Sequence, residues 1–154
     1  MMTTASEVIA KLSGKTLVTA ESLTGGGIGA ALTAVPGASR VMKGGIISYT
    51  DEVKRGVLGV AKQALETYGA VSEPVACQMA MGARRVLHAD IAVSVTGLAG
   101  PTGDDFGHEV GTVFIGYADG HTVTAGEYHF DGDREAVRNQ TIEAALQLIL
   151  ENVK

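Results

Sequence analysis

The chain has 154 residues, 45% of them hydrophobic and 19% charged, the size and balance of one globular domain built on a single core. No apolar run approaches the roughly 18 residues that a membrane-spanning helix needs, and a net charge of −5 argues against broad electrostatic binding to nucleic acid or to an anionic membrane. Cys77 is the single cysteine, which excludes an internal disulfide and a multi-thiolate metal site, and the amino terminus lacks the basic and apolar segments of a secretory signal, so a cytoplasmic protein is expected.

In chain order, a helix is predicted over residues 4–13, with Thr4 and Glu7 as a capping box and Gly14 past its end, packed on a sheet edge. Residues 16–20 are β-branched and apolar and read as a strand; after Glu21-Ser22-Leu23, a helix over residues 24–35 ends before Pro36-Gly37. A second strand is predicted over 44–49, followed by a short helix that Thr50 or Asp51 caps and that carries Lys54. Residues 61–68 form another helical piece ended by Gly69, and Ser72 caps a long helix over 73–88, in which Ala76, Met79, Ala80, Ala83 and Leu87 recur at helical spacing. Residues 91–95 are almost continuously apolar, as in a buried strand. Two strands, 110–118 and 121–130, flank the hairpin signal Asp119-Gly120. Asp133 caps a last helix with an apolar stripe of Ile142, Ala145, Leu146, Ile149, Leu150 and Val153. The expected architecture is α/β: a single three-layer α/β/α domain over residues 1–154, with a mixed, mostly parallel sheet of about five strands carrying one antiparallel hairpin.

Three segments have the composition of a reactive site. The run Glu21-Ser22-Leu23-Thr24-Gly25-Gly26-Gly27 joins a strand to a helix through a glycine-rich turn, which presents hydroxyls and free N–H groups at the carboxyl edge of the sheet. In the second, Tyr49 ends a strand and Lys54 lies in the first turns of the next helix, so both can face the same edge as Ser22. A serine needs a base to take its proton; no histidine stands at an obvious triad position, and a lysine base is the economical alternative. The third, Thr96-Gly97-Leu98-Ala99-Gly100-Pro101-Thr102-Gly103, leaves the buried strand at its carboxyl end as a backbone-exposed loop on which a phosphate or ring can rest. Each segment also has a plain structural reading: close helix packing, a solvated lysine and an ordinary connection. The first run loosely fits a dinucleotide fingerprint, Gly25-x-Gly27-x-x-Ala30 with Asp51 downstream, and leaves an oxidoreductase as an alternative, while the missing Gly-Lys-Ser/Thr ending excludes an NTPase phosphate loop. His88, His108, His121 and His129 lack metal-ligand spacing, and neither a metal nor a cofactor is expected.

Taken together, residues 20–26, 36–39, 44–54, 69–72, 96–103 and 110–113 resemble, in order and over nearly the whole chain, the pattern of the CinA C-terminal domain family and its free-standing nicotinamide-nucleotide amidases. The resemblance implies hydrolysis of nicotinamide mononucleotide to nicotinic acid mononucleotide and ammonia, without a metal, in pyridine-nucleotide recycling. It assigns Ser22 as nucleophile, Lys54 as general base and Tyr49 beside them, Thr96 as a substrate-site residue, and Ser39, Arg134 and Arg138 as residues near the site. Gly25, Gly26, Gly44 and Gly45 are expected to stabilise the oxyanion, and the phosphate is expected either near Thr24, Gly25 and Gly26 or on the loop with Gly97 and Gly100, with an arginine over it. The expected partner is a small-molecule nucleotide, with no nucleic acid and no membrane, in a homo-oligomer. Leu23 stands where many relatives have cysteine, Thr102 and Asp104 interrupt a loop usually richer in glycine, and Glu109 replaces a common proline. A non-catalytic nucleotide-binding domain of the same fold is the main rival reading.

Overall fold

The computed structural model describes residues 2–154. Among them, five strands form one sheet in the order β2-β1-β3-β4-β5: β1 (Leu17–Glu21), β2 (Met42–Ile47), β3 (Ile91–Gly97), β4 (Thr112–Ala118) and β5 (Val123–His129). β1 pairs parallel with both β2 and β3, and β4 pairs antiparallel with β3 and β5, so β4 runs against the other four. The mixed, mostly parallel α/β architecture expected from the sequence is the one observed.

Side-chain alternation along the strands divides the interior into two layers. Leu17, Ile91, Val93, Val95, Val113, Ile115 and Tyr117 meet α1 (Thr4–Lys11), α2 (Gly27–Thr33) and α6 (Arg134–Asn152) on one face. Val18, Ala20, Ala92 and Ala118 meet α4 (Lys62–Tyr68) and α5 (Glu73–Leu87) on the other. The chain leaves β1 through α2 on the first face and returns from β2 to β3 through α3 (Asp51–Gly56), α4 and α5 on the second. β1 is therefore where the connections part, and the carboxyl ends of β1, β2 and β3 open on a crevice there.

Several elements differ from expectation in detail. α1 is capped by Thr3, whose hydroxyl accepts from Ser6 N, while the Thr4 hydroxyl donates to Glu143 Oε1. That bond carries α1 onto α6 and α2 rather than onto a sheet edge. α2 begins at Gly27, later than predicted, because Gly25 (φ 58°) and Gly26 (φ 102°) take left-handed backbone that cannot start a helix. β2 starts at Met42, two residues early, and a bulge between Leu17 and Val18 skips Lys43 in the pairing. The hairpin turns where Asp119-Gly120 predicts, and the Asp119 carboxylate organises it by accepting from His121 N and Thr122 N, each at 2.8 Å. Asp133 caps α6 as expected, accepting from Ala136 N at 2.9 Å.

Candidate active site

Ser22 follows the last residue of β1, and the strand's alternation sends Glu21 towards α2 and Ser22 to the opposite face, where α3 lies. Thr50 caps α3, its hydroxyl accepting from Val53 N, and this sets the short helix so that Lys54 points back under the end of β2. The two side chains meet in the interior, with Ser22 7% and Lys54 2% exposed. Lys54 Nζ lies 3.2 Å from Ser22 Oγ, 2.9 Å from Ser48 O and 3.3 Å from Tyr49 O. A protonated amine has three N–H groups and a neutral one has two plus a lone pair. The two carbonyls can only accept, so in the neutral amine the remaining lone pair is left for the Ser22 hydroxyl proton. Burial pushes the Lys54 pKa below the ordinary lysine value, and the neighbouring Asp51 carboxylate partly opposes that shift. The pair has the make-up of a nucleophile with its base.

The turn from Ser22 to Gly25 is held from two sides. Glu21, 1% exposed, accepts from Thr24 Oγ1 (2.6 Å) and Ile28 N (2.8 Å) on one carboxylate oxygen and from Gly29 N (3.0 Å) on the other. It thus caps α2 in place of Gly26, which has no side chain to do so. From α6, Arg138 donates through Nε to Leu23 O (2.9 Å) and through Nη2 to Thr24 O (3.1 Å). Gly25 N donates to Ser22 O, whereas the Leu23 and Thr24 amides find no acceptor among the described residues.

A cavity of about 490 Å³ opens over the pair. It gathers Ser22, Lys54, Tyr49, Thr96, Gly97, Gly100 and Arg134, all expected from the sequence. Thr96 Oγ1 donates to Ala70 O at 2.8 Å and ties the end of β3 to the turn before α5. Arg134 spans the rim, donating to Gly100 O at 2.7 Å and to the Tyr49 hydroxyl at 3.1 Å.

Other expected residues stand elsewhere. Thr24 is fully buried with its hydroxyl committed to Glu21, and Arg138 grips the turn behind the cavity instead of lining it. Gly25 and Gly26 shape the turn, but neither lines the cavity. Gly44 and Gly45 pair with Val18 and Thr19 on the edge strand β2, which starts two residues early and carries them below the level of Ser22. Ser39 belongs to a short 3-10 turn, Ala38–Arg40, that enters β2 at the amino edge of the sheet, opposite the crevice. Sequence reasoning overlooked Glu21 as a cap, Asp51 as a charge beside Lys54, and Asp104, Asp105 and Phe106 as wall residues. An acidic residue that closes a strand just before a glycine-rich helix start is the signal that would have found Glu21. Among the described residues no group of three or more His, Cys, Asp or Glu could hold a metal ion, and no helix is long and apolar enough to cross a membrane.

Comparison with known proteins gives one consistent family. The model of the CinA C-terminal domain matches residues 2–153. The chain is 43% identical over 141 residues to the nicotinamide-nucleotide amidohydrolase PncC of Escherichia coli, covering 90% of this chain and 85% of that protein. It is 44% identical over 146 residues to a CinA-like protein of Sulfurihydrogenibium, covering 93% of this chain and 36% of that protein. The chain spans about a third of the length of several curated relatives of this kind. Among solved structures, the competence/damage inducible protein of Agrobacterium tumefaciens superposes with a TM-score of 0.92 at 38% identity, covering 96% of this chain and 92% of that one.

Proposed function

Because the chain belongs to the CinA C-terminal domain family, we propose that it is an amidohydrolase that releases ammonia from the carboxamide of nicotinamide mononucleotide, with Ser22 as nucleophile and Lys54 as its base. The observation that carries this reading is the buried Lys54 amine, whose two carbonyl partners leave its third position to Ser22 Oγ at 3.2 Å.

Neutral Lys54 takes the Ser22 proton as Oγ attacks the carboxamide carbon, and the carbonyl π electrons move onto oxygen. The Leu23 amide, which has no acceptor among the described residues and belongs to a residue lining the cavity, is the donor for that oxyanion, a role Gly25 cannot share while its N–H is bound to Ser22 O. Arg138 holds the turn that presents this amide, through its bonds to Leu23 O and Thr24 O. The proton held by Lys54 passes to the departing nitrogen, ammonia leaves, and Ser22 is acylated. Water, deprotonated by Lys54, then cleaves the ester and regenerates the hydroxyl. Arg134 spends two N–H groups on Gly100 O and the Tyr49 hydroxyl, and its others are available to a phosphate at the cavity rim.

The test is ammonia release from nicotinamide mononucleotide by the purified protein. Ser22→Ala and Lys54→Met are each expected to lower turnover by on the order of a thousandfold or more, and the double variant should be little worse, since the two residues act as one unit. Turnover within a few-fold of wild type in Lys54→Met would sink the dyad. Nucleotide binding with no ammonia release from wild type would replace the reading with that of a non-catalytic binding domain.

A further inference from the structure

The loop between β3 and β4 has an internal organisation that the dyad does not explain. The Asp104 carboxylate accepts from Phe106 N at 3.1 Å and His108 N at 3.0 Å on one oxygen, and its other oxygen is paired with His108 Nδ1 at 2.7 Å. With both oxygens engaged, Asp104 closes a compact turn whose tip is Phe106. His108 is fixed in turn, its ring edge-on to Phe114 at 6.2 Å between centroids.

Phe106 does not use this turn to reach the core. It remains 48% exposed, bounding the cavity above Ser22 and Lys54. One side of the ring seats on Gly69: a Cβ built there would lie 2.6 Å from Phe106 Cδ2, and the backbone of Gly69 (φ 79°) disfavours any side chain. The ring thus occupies the space a side chain at position 69 would fill and leaves aromatic surface towards the cavity. Around it the walls are rich in carboxylate. Asp51 and Asp105 are exposed and line the same space, while the exposed basic residue on the wall, Arg134, is drawn to the rim by Gly100 O and the Tyr49 hydroxyl, and Lys54 is buried beneath.

We propose that Phe106, presented by the turn that Asp104 closes, makes this cavity select a carboxamide carried on a positively charged pyridinium ring over the same carboxamide on a neutral ring. The inference rests on the amidase reading above and adds the charge class of its substrate. The negative face of an aromatic ring attracts a delocalised cation within about 6 Å, and Asp51 and Asp105 add Coulombic attraction in a partly enclosed space. The same carboxylates repel the carboxylate that hydrolysis creates, which favours release of the product over its retention.

The probes are oxidised and 1,4-dihydro nicotinamide mononucleotide, which share phosphate, ribose and carboxamide and differ in ring charge. Binding of each is measured by calorimetry on the Ser22→Ala protein, where turnover does not intrude. The oxidised form should bind about tenfold more tightly than the dihydro form. Adding Phe106→Leu should lower the ratio by about threefold or more, the remainder being the share of Asp51 and Asp105, with a smaller change in dihydro affinity, and Phe106→Tyr should restore it. A merely structural role would weaken both ligands alike. Equal binding of the two forms, a ratio that Phe106→Leu leaves intact, a matched loss of both, or no binding of either overturns the proposal. Ammonia release by the Ser22-containing protein is scored separately, so failure of the amidase reading and failure of ring selection give different results.

Discussion

At the scale of single residues, the proposed reaction requires one buried amine, that of Lys54, to give up its proton. Desolvation lowers the Lys54 pKa and Asp51 raises it, so the carboxylate sets how far the amine can be depressed. Asp51→Asn removes the opposing charge, and the acid limb of the pH–rate profile is expected to move to lower pH. The profile of kcat/KM against pH for wild type and variant checks this; an acid limb that stays in place would mean that Asp51 does not act on Lys54. Residues next to one another in sequence do different work here. Glu21 and Ser22 point to opposite faces, so one ties down a helix while the other meets the lysine, and Thr24 and Arg138 serve the turn rather than the ligand cavity.

At the scale of elements, the site is assembled where strands end and short helices begin. α2 can start at Gly27 because Gly25 and Gly26 accept left-handed backbone and Glu21 supplies the cap. The return layer is set by close contact of α5 with the residues after α3: a Cβ added at Gly82 would run into the Leu58 carbonyl oxygen. Leu58 follows α3, which carries Lys54, so this contact bears on how Lys54 is held. Gly82→Ala is expected to destabilise the protein by about 1–3 kcal/mol, the usual cost of overpacking, despite alanine's better helix propensity. Chemical denaturation measures it, and a variant as stable as wild type would show that α5 can shift away at no cost.

At the scale of the whole molecule, burying a lysine makes stability depend on pH. The Lys54 pKa is lower in the folded chain than in the unfolded one, so between the two values the unfolded state binds the extra proton. Stability attributable to this residue therefore rises as pH climbs through the folded value towards the ordinary lysine range, and is lost again on acidification. Denaturation midpoints across neutral to alkaline pH should show this gain in wild type and a flatter curve in Lys54→Met; the same slope in both would place the coupling elsewhere. Local pattern was enough for the strand and helix order, the Asp119-Gly120 hairpin and the cap at Asp133, and it narrowed the cap of α3 to Thr50 or Asp51, since each rests on residues within a few positions of one another. The run Glu21–Ser22 and the lysine after Tyr49 also mark candidate chemistry in the chain itself. Tertiary structure alone decided that Lys54 Nζ lies 3.2 Å from Ser22 Oγ across 32 positions, that Arg138 reaches back to Leu23 across 115, and that Gly44 and Gly45 stand along β2 below the level of Ser22 and do not line the cavity. Those outcomes depend on strand register and on which face each connection crosses, and a one-residue slip in register turns every side chain to the other face of the sheet.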